Sequence, residues 1–147
     1  MKYWVMKSEP DDYSIDDLKK DKRTYWDGVR NYQARNFMRD EMRKGDGVLF
    51  YHSNTKTPLI AGFAKVVMES YPEPTQFDKK SKYFDEKSTK DNPRWFLVDI
   101  EFVRKCIKPL SLEEIKTYSK LEDMVLVKKW RLSVQPVSKK EFEYIDM

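Results

Sequence analysis

Arg94-Trp-Phe-Leu-Val-Asp-Ile-Glu-Phe-Val-Arg-Lys-Cys106 is the clearest strand in the sequence. Phe96, Val98, Ile100, Phe102 and Cys106 fall on one face of an extended chain, and Asp99, Glu101 and Lys105 on the other. Upstream, Gly47-Val-Leu-Phe-Tyr-His-Ser53 reads as a buried strand. A polar turn through Thr57-Pro58 joins it to a longer one over 59–68. Gly62, inside that strand, signals a bulge, a barrel corner or the close approach of another backbone. Tyr3-Trp-Val-Met6 is a first strand, ended by Ser8-Glu-Pro10, and Arg131-Leu-Ser-Val-Gln-Pro136 a last short one stopped by its proline.

Helices sit at the periphery of this pattern. Ser14-Ile-Asp-Asp17 has the form of a capping box and predicts a helix over 15–20, after which Lys19-Lys-Asp-Lys-Arg23 reads as a solvated turn. Ser111-Leu-Glu-Glu114 and Ser138-Lys-Lys-Glu141 start two more, the second carrying Phe142 and Ile145. Met124-Val-Leu-Val127 fits a strand or a buried helix. Asp27-Gly28 marks a turn. Beyond it, Ala34, Phe37, Met38 and Met42 share one helical face, with Asn31 placed to cap the N-terminus and Gly45 to sit just past the C-terminus. Residues 71–94 are polar, contain three prolines and have no period, as functional or mobile loops do. Five or so strands with non-local connections and short helices predict an α+β fold, a strongly bent sheet or small barrel. Strands and helices do not alternate as in a doubly wound parallel sheet.

The bulk properties narrow the function. A chain of 147 residues is one domain, 1–147, by the usual size prior. No apolar run is long enough to span a membrane. One cysteine, Cys106, and a strand at the very start in place of a signal peptide predict a reducing address, cytoplasm or, in a eukaryote, nucleus. Basic residues outnumber acidic ones 13 to 11 up to Ser70 and 16 to 14 after it, so the net +4 is evenly spread. A pI near 9.0 permits a nucleic-acid partner without demanding one. One histidine and one cysteine far apart leave no metal cluster, and four glycines form no phosphate loop, so neither metal nor cofactor is expected. His52 with Ser8, Ser53 or Ser133 lacks a nucleophile-elbow context. Glu9 with Asp11 or Asp12 lies in a turn of ordinary solvated acids. A non-catalytic protein is the expectation.

What survives is a set of rings and short polar groups at strand ends and helix starts. Trp26-Asp-Gly-Val-Arg-Asn-Tyr-Gln-Ala-Arg-Asn36 is its densest part. Trp4 and Trp95 fit a core or an aromatic cage, and Trp26, ahead of a turn, fits either place. Asn31 caps a helix and can also read a base edge, because an amide donates and accepts. Arg35, Arg39 and Arg43 recur every four residues and make either a solvated face or a phosphate track. His52 alternates with Val48 and Phe50 and suits a core or pocket wall. Rings stack on single-stranded or extruded bases, and a carboxylate such as Glu9 can accept from the exocyclic amine of cytosine.

Tyr3-Trp-Val-Met-Lys-Ser-Glu-Pro-Asp-Asp-Tyr-Ser14 and Trp26–Asn36 resemble the first two motifs of the EVE domain, a member of the PUA-like superfamily. Phe50-Tyr-His-Ser-Asn54, Asn92-Pro-Arg-Trp95 and Arg131–Pro136 resemble three more, in the same order along the chain. The resemblance implies a compact bent β-barrel ringed by helices and a non-catalytic reader of a modified base, particularly modified cytosine in DNA. Such members often accompany restriction or RNA-processing systems. An RNA reader like the YTH domains, a small-ligand sensor and a nucleotide-processing enzyme are the alternatives. Carried over by motif, the pocket would hold Lys7, Ser8 and Glu9, then Trp26, Val29, Arg30, Asn31 and Tyr32. Tyr51, His52, Ser53, Trp95, Leu132 and Ser133 would complete it. Trp26 and Trp95 would stack, Asn31, Ser8 and Glu9 would read the base edge, and Arg30, Arg35 and Arg39 would hold phosphate.

Overall fold

The computed structural model describes residues 1–129 and 131–146. Six strands form one mixed sheet: β1 (Tyr3–Ser8), β2 (Arg23–Tyr25), β3 (Gly47–His52), β4 (Leu59–Pro72), β5 (Phe96–Ser111) and β6 (Val134–Val137). Their order across the sheet is β2-β5-β4-β3-β1-β6. β1 runs parallel to β3, in register from Tyr3 opposite Gly47 to Ser8 opposite His52, and every other pair is antiparallel. The α+β expectation therefore holds.

Alternation along the strands builds two cores, one on each face. Trp4, Met6, Val48 and Phe50 pack with Val98, Ile100 and Val134 on one side. Val5, Leu49 and Tyr51 pack with Ile60, Phe63 and Val137 on the other. The first core is covered by α1 (Ile15–Asp21), through Ile15 and Leu18, and by α2 (Tyr32–Asn36) with the π turn Phe37–Glu41, through Ala34, Met38 and Met42. The second is covered by α3 (Leu112–Ile115), α4 (Val125–Lys128) and α5 (Lys139–Asp146). Ser14, Ser111 and Ser138 each accept from a backbone N–H three residues on, as their capping boxes predict.

Bulges bend the sheet. Phe50 pairs with Gly62 but Tyr51 with Ile60, leaving Ala61 as an extra residue. A Cβ on Gly62 would stand 2.7 Å from Ile15 Cδ1 and 2.8 Å from the Arg104 carbonyl oxygen, so this strand needs glycine there. Because β4 and β5 slip repeatedly past one another, Cys106 does not stay with Val98, Ile100 and Phe102. It joins the opposite core.

Several sequence expectations are corrected. The residues read as a solvated turn after α1 include Arg23, which begins β2 and pairs with Glu101. The helix after Asn31 ends at Glu41, with Met42 already extended, so Gly45 is not its C-terminal cap. The π turn closes Met42 N–H onto the Phe37 carbonyl at 2.9 Å, and Asp46 then accepts from Arg43 N at 2.9 Å. Asp46 also accepts from the Trp4 indole at 3.0 Å, which fixes Trp4 in the core. β6 starts at Val134 and passes through Pro136 to Val137, a proline being tolerated on an edge strand. Of Met124–Val127, the last three residues open helix α4, with Leu126 buried and Met124 just ahead of it.

Candidate functional site

The C-terminal ends of the parallel strands β1 and β3 open into a cavity of about 1260 Å³. Its walls come from distant parts of the chain. Lys7, Ser8 and Glu9 end β1, Trp26, Val29 and Arg30 come from the loop after β2, Ser53 and Asn54 from the β3–β4 turn, and Arg131 and Ser133 from the approach to β6. The structure thus brings together Lys7, Ser8, Glu9, Trp26, Val29, Arg30, Ser53 and Ser133 of the residues expected from sequence.

The polar groups in this wall are already partly engaged. Ser8 Oγ donates to the Tyr13 carbonyl at 2.7 Å, and the Ser53 N–H donates to the Ser8 carbonyl at 3.0 Å. Glu9 accepts from the Asn54 side-chain amide, and Asn54 holds a left-handed backbone with φ of 50°. Lys7 N donates to the Ser133 carbonyl at 2.9 Å. The Lys7 ammonium lies 5.6 Å from the Tyr51 ring, and burial pushes its pKa down to about 8. Trp26 is 8% exposed and meets Phe50 edge-on, so one edge reaches the cavity while the rest is core. Val29 is the one aliphatic side chain among the described residues of the wall.

Asn31, Tyr32, Tyr51, His52, Trp95 and Leu132 stand outside the wall. Asn31 Oδ1 accepts from Ala34 N at 3.0 Å and so caps α2. Tyr51 belongs to the second core and Leu132 to the first. His52 Nε2 accepts from Ile15 N at 3.1 Å, which requires a neutral ring with its hydrogen on Nδ1; burial lowers its pKa in keeping. Trp95 is 5% exposed. Tyr32 stacks on its ring at 4.9 Å, Arg30 lies 4.9 Å from it, and its indole donates to Asp85 at 2.7 Å. In this arrangement the Trp95 ring is covered by Tyr32 and Arg30 and does not line the cavity.

The arginines are engaged within the protein as well. Arg35 donates to the Arg94 carbonyl at 2.8 Å and to Asn36 at 2.7 and 3.1 Å, while Arg39 pairs with Asp40 at 2.8 and 2.9 Å. Neither lines the cavity. Arg30 does, but its guanidinium is held by the carboxylate of Glu73, at 3.0 and 2.5 Å, and by the carbonyls of Val29 and Tyr83, at 3.0 and 2.6 Å.

Residues 73–95 supply what sequence reading missed. Glu73 is fully buried and also accepts from Gly28 N and Thr75 Oγ1, both at 2.8 Å. Gln76 accepts from Trp95 N at 3.0 Å and donates to the Trp95 and Glu73 carbonyls, both at 2.7 Å. This strap lays Lys82 and Tyr83 into the cavity wall, with the Tyr83 ring so close over Gly28 that a Cβ there would lie 2.5 Å from it. Arg23, Thr24 and the exposed Tyr25 of β2, with Asp27 beside Trp26, were missed too. No helix among the described residues is long and apolar enough to cross a membrane.

The comparisons agree on kinship. Human thymocyte nuclear protein 1 is 44% identical over 162 residues, covering 97% of this chain and 72% of that protein. A hypothetical protein from Leishmania major superimposes with a TM-score of 0.94 at 53% identity, over 99% of this chain and 92% of that one. The human THYN1 protein, solved in complex with 5-methylcytosine containing DNA, gives 0.94 at 44% identity, over 99% and 95%. The pattern of the EVE domain matches residues 2–146, and the chain belongs to the EVE domain family.

Proposed function

We propose that this protein is a non-catalytic nucleic-acid-binding module that takes a base, a modified cytosine in DNA, into the cavity beyond β1 and β3. The observation that carries the reading is the composition of that cavity. Hydroxyls, carboxylates and cations alternate with the rings of Trp26, Tyr25 and Tyr83 around a space larger than a base needs, with room for the attached sugar and phosphate. Val29 offers an apolar contact to a methyl group. Ser8, Ser53 and Ser133 present hydroxyls to a base or sugar edge, and Lys7, Lys82 and Arg131 supply positive charge for phosphate. The DNA complex of the human THYN1 protein supports the choice of partner and of modification. Two engagements support the absence of chemistry: His52 Nε2 is taken by a backbone N–H, and the Ser8 hydroxyl by a backbone carbonyl. A compartment that holds nucleic acid, cytoplasm or nucleus, suits such a module.

Titration of oligonucleotides carrying cytosine, 5-methylcytosine or 5-hydroxymethylcytosine at one position tests the reading. One methyl in an apolar pocket is worth about 1–3 kcal/mol, so roughly tenfold tighter binding of the methylated strand is expected. Equal or absent binding across the three strands would refute it.

A further inference from the structure

Four carboxylates line the cavity: Glu9, Asp12, Asp21 and Asp27. Glu9 is bound by Asn54, Asp21 accepts from the Tyr13 hydroxyl at 2.8 Å, and Asp12 is exposed to water. Asp27 is different. It is half-buried, and among the described residues no side chain or N–H of another residue donates to it. Its backbone is pinned on both sides, because Trp26 N donates to the Val98 carbonyl at 2.9 Å and Gly28 N to Glu73 at 2.8 Å. Gly28 takes a φ of 80°, which turns the chain immediately after Asp27. The carboxylate thus stands on a pinned stretch of backbone in the cavity wall that it shares with Trp26, with acceptor capacity to spare.

We infer that Asp27 selects a cytosine-type base over a thymine-type one by accepting the exocyclic amine at C4. The inference rests on the proposed base-capture reading and names the residue within it. Cytosine carries an N4 amine that donates, and thymine carries at the same place an O4 that only accepts. An ionised carboxylate has no hydrogen to offer, so thymine would set two sets of lone pairs against each other at a half-buried carboxylate. Sites built to satisfy a buried polar group discriminate strongly against a ligand that leaves it unpaired. The direction of the Asp27 pKa agrees: burial first, then the neighbouring Glu73, raise it, and they outweigh its own backbone N–H and the cations of Arg30 and Lys82, which lower it. An incoming amine would relieve that.

The test is fluorescence anisotropy with otherwise identical oligonucleotides bearing 5-methylcytosine, cytosine or thymine at the target position. Wild-type protein is expected to favour 5-methylcytosine over thymine by tenfold or more. Asp27→Asn keeps the shape but carries both an acceptor and a donor, so the preference should fall to within about twofold, with the Tm unchanged. Asp27→Ser is read in parallel, as a smaller replacement for a side chain that holds no other residue. Retention of the wild-type preference by either folded variant overturns the inference. So does a wild-type protein that separates 5-methylcytosine from cytosine but not from thymine, an outcome that leaves base capture standing. Equal binding of all three strands overturns both.

Discussion

Arg30 and Glu73, 43 positions apart, meet as a two-pronged ion pair of 3.0 and 2.5 Å in which the carboxylate is entirely buried. The pair ties the loop after β2 to the strap over residues 73–95. Removing the cation leaves a buried charge with only Gly28 N and Thr75 Oγ1 to satisfy it, a situation that costs about 3–5 kcal/mol. Arg30→Met should therefore lower stability by about 3 kcal/mol in urea titration. Amide hydrogen exchange should rise first across 78–92, the part of the strap that Arg30 holds through the Tyr83 carbonyl.

His52 makes stability fall on acidification. Its folded pKa lies below the ordinary value of 6.5, because burial disfavours the cation and Nε2 is committed as an acceptor for Ile15 N. Between the folded pKa and about 6.5 the unfolded chain binds more protons, so stability rises with pH through that window and is lost as pH falls below it. His52→Gln should flatten the urea midpoint between pH 5 and 7 while lowering it slightly at pH 7.5. A variant with the wild-type acid slope would locate the effect elsewhere.

Lys7 gives the cavity its own pH dependence. With the ammonium pushed down to about 8, an anion bound beside it favours the charged form and raises that value. Oligonucleotide binding should therefore take up protons near pH 8, and affinity should weaken as pH climbs from 7 to 9. Calorimetry in two buffers of different ionisation enthalpy measures the uptake, and Lys7→Met should abolish it. In the free protein the sign is opposite: stability rises from about pH 8 toward the ordinary lysine value of 10.5, because the unfolded chain holds the extra proton.

Gly62 is a packing constraint at the bulge. Gly62→Ala would press a methyl against the Arg104 carbonyl and the end of Ile15, and backbone cannot yield as a side chain can. Overpacking of this kind costs about 1–3 kcal/mol, and a Tm drop of several degrees is the expected readout.

How legible was all this in the chain itself? β1, β3, β4 and β5 were visible because alternation over several residues is a strong local signal, and Asn31 announced its helix because capping is chemistry within four residues. β2 was not, since Arg23–Tyr25 is too short to show a period and exists only because β5 offers it an edge. Gly45 misled for a related reason: a π turn and the carboxylate of Asp46 end the helix before the glycine is reached. The site divided along the same line. Ser8, Trp26 and Ser133 sit in recognisable motifs at strand ends and do meet. Glu73 and Tyr83 lie in a polar stretch without periodicity, and their importance comes from partners more than 40 positions away. Trp95 was seen, but its neighbours Tyr32, Arg30 and Asp85, which take up its ring and its N–H, could not be read from spacing.

The sheet order has a consequence for how the cavity is closed. Tyr3 pairs with Val137, so one edge of β1 is covered by a strand that lies far along the sequence from it. Ser133, whose carbonyl receives Lys7 N–H, stands just before that strand and lines the cavity. Detaching β6 would therefore bare an edge of β1 and remove part of the cavity wall at once, so the integrity of the sheet and the capacity to hold a ligand are coupled through one short strand.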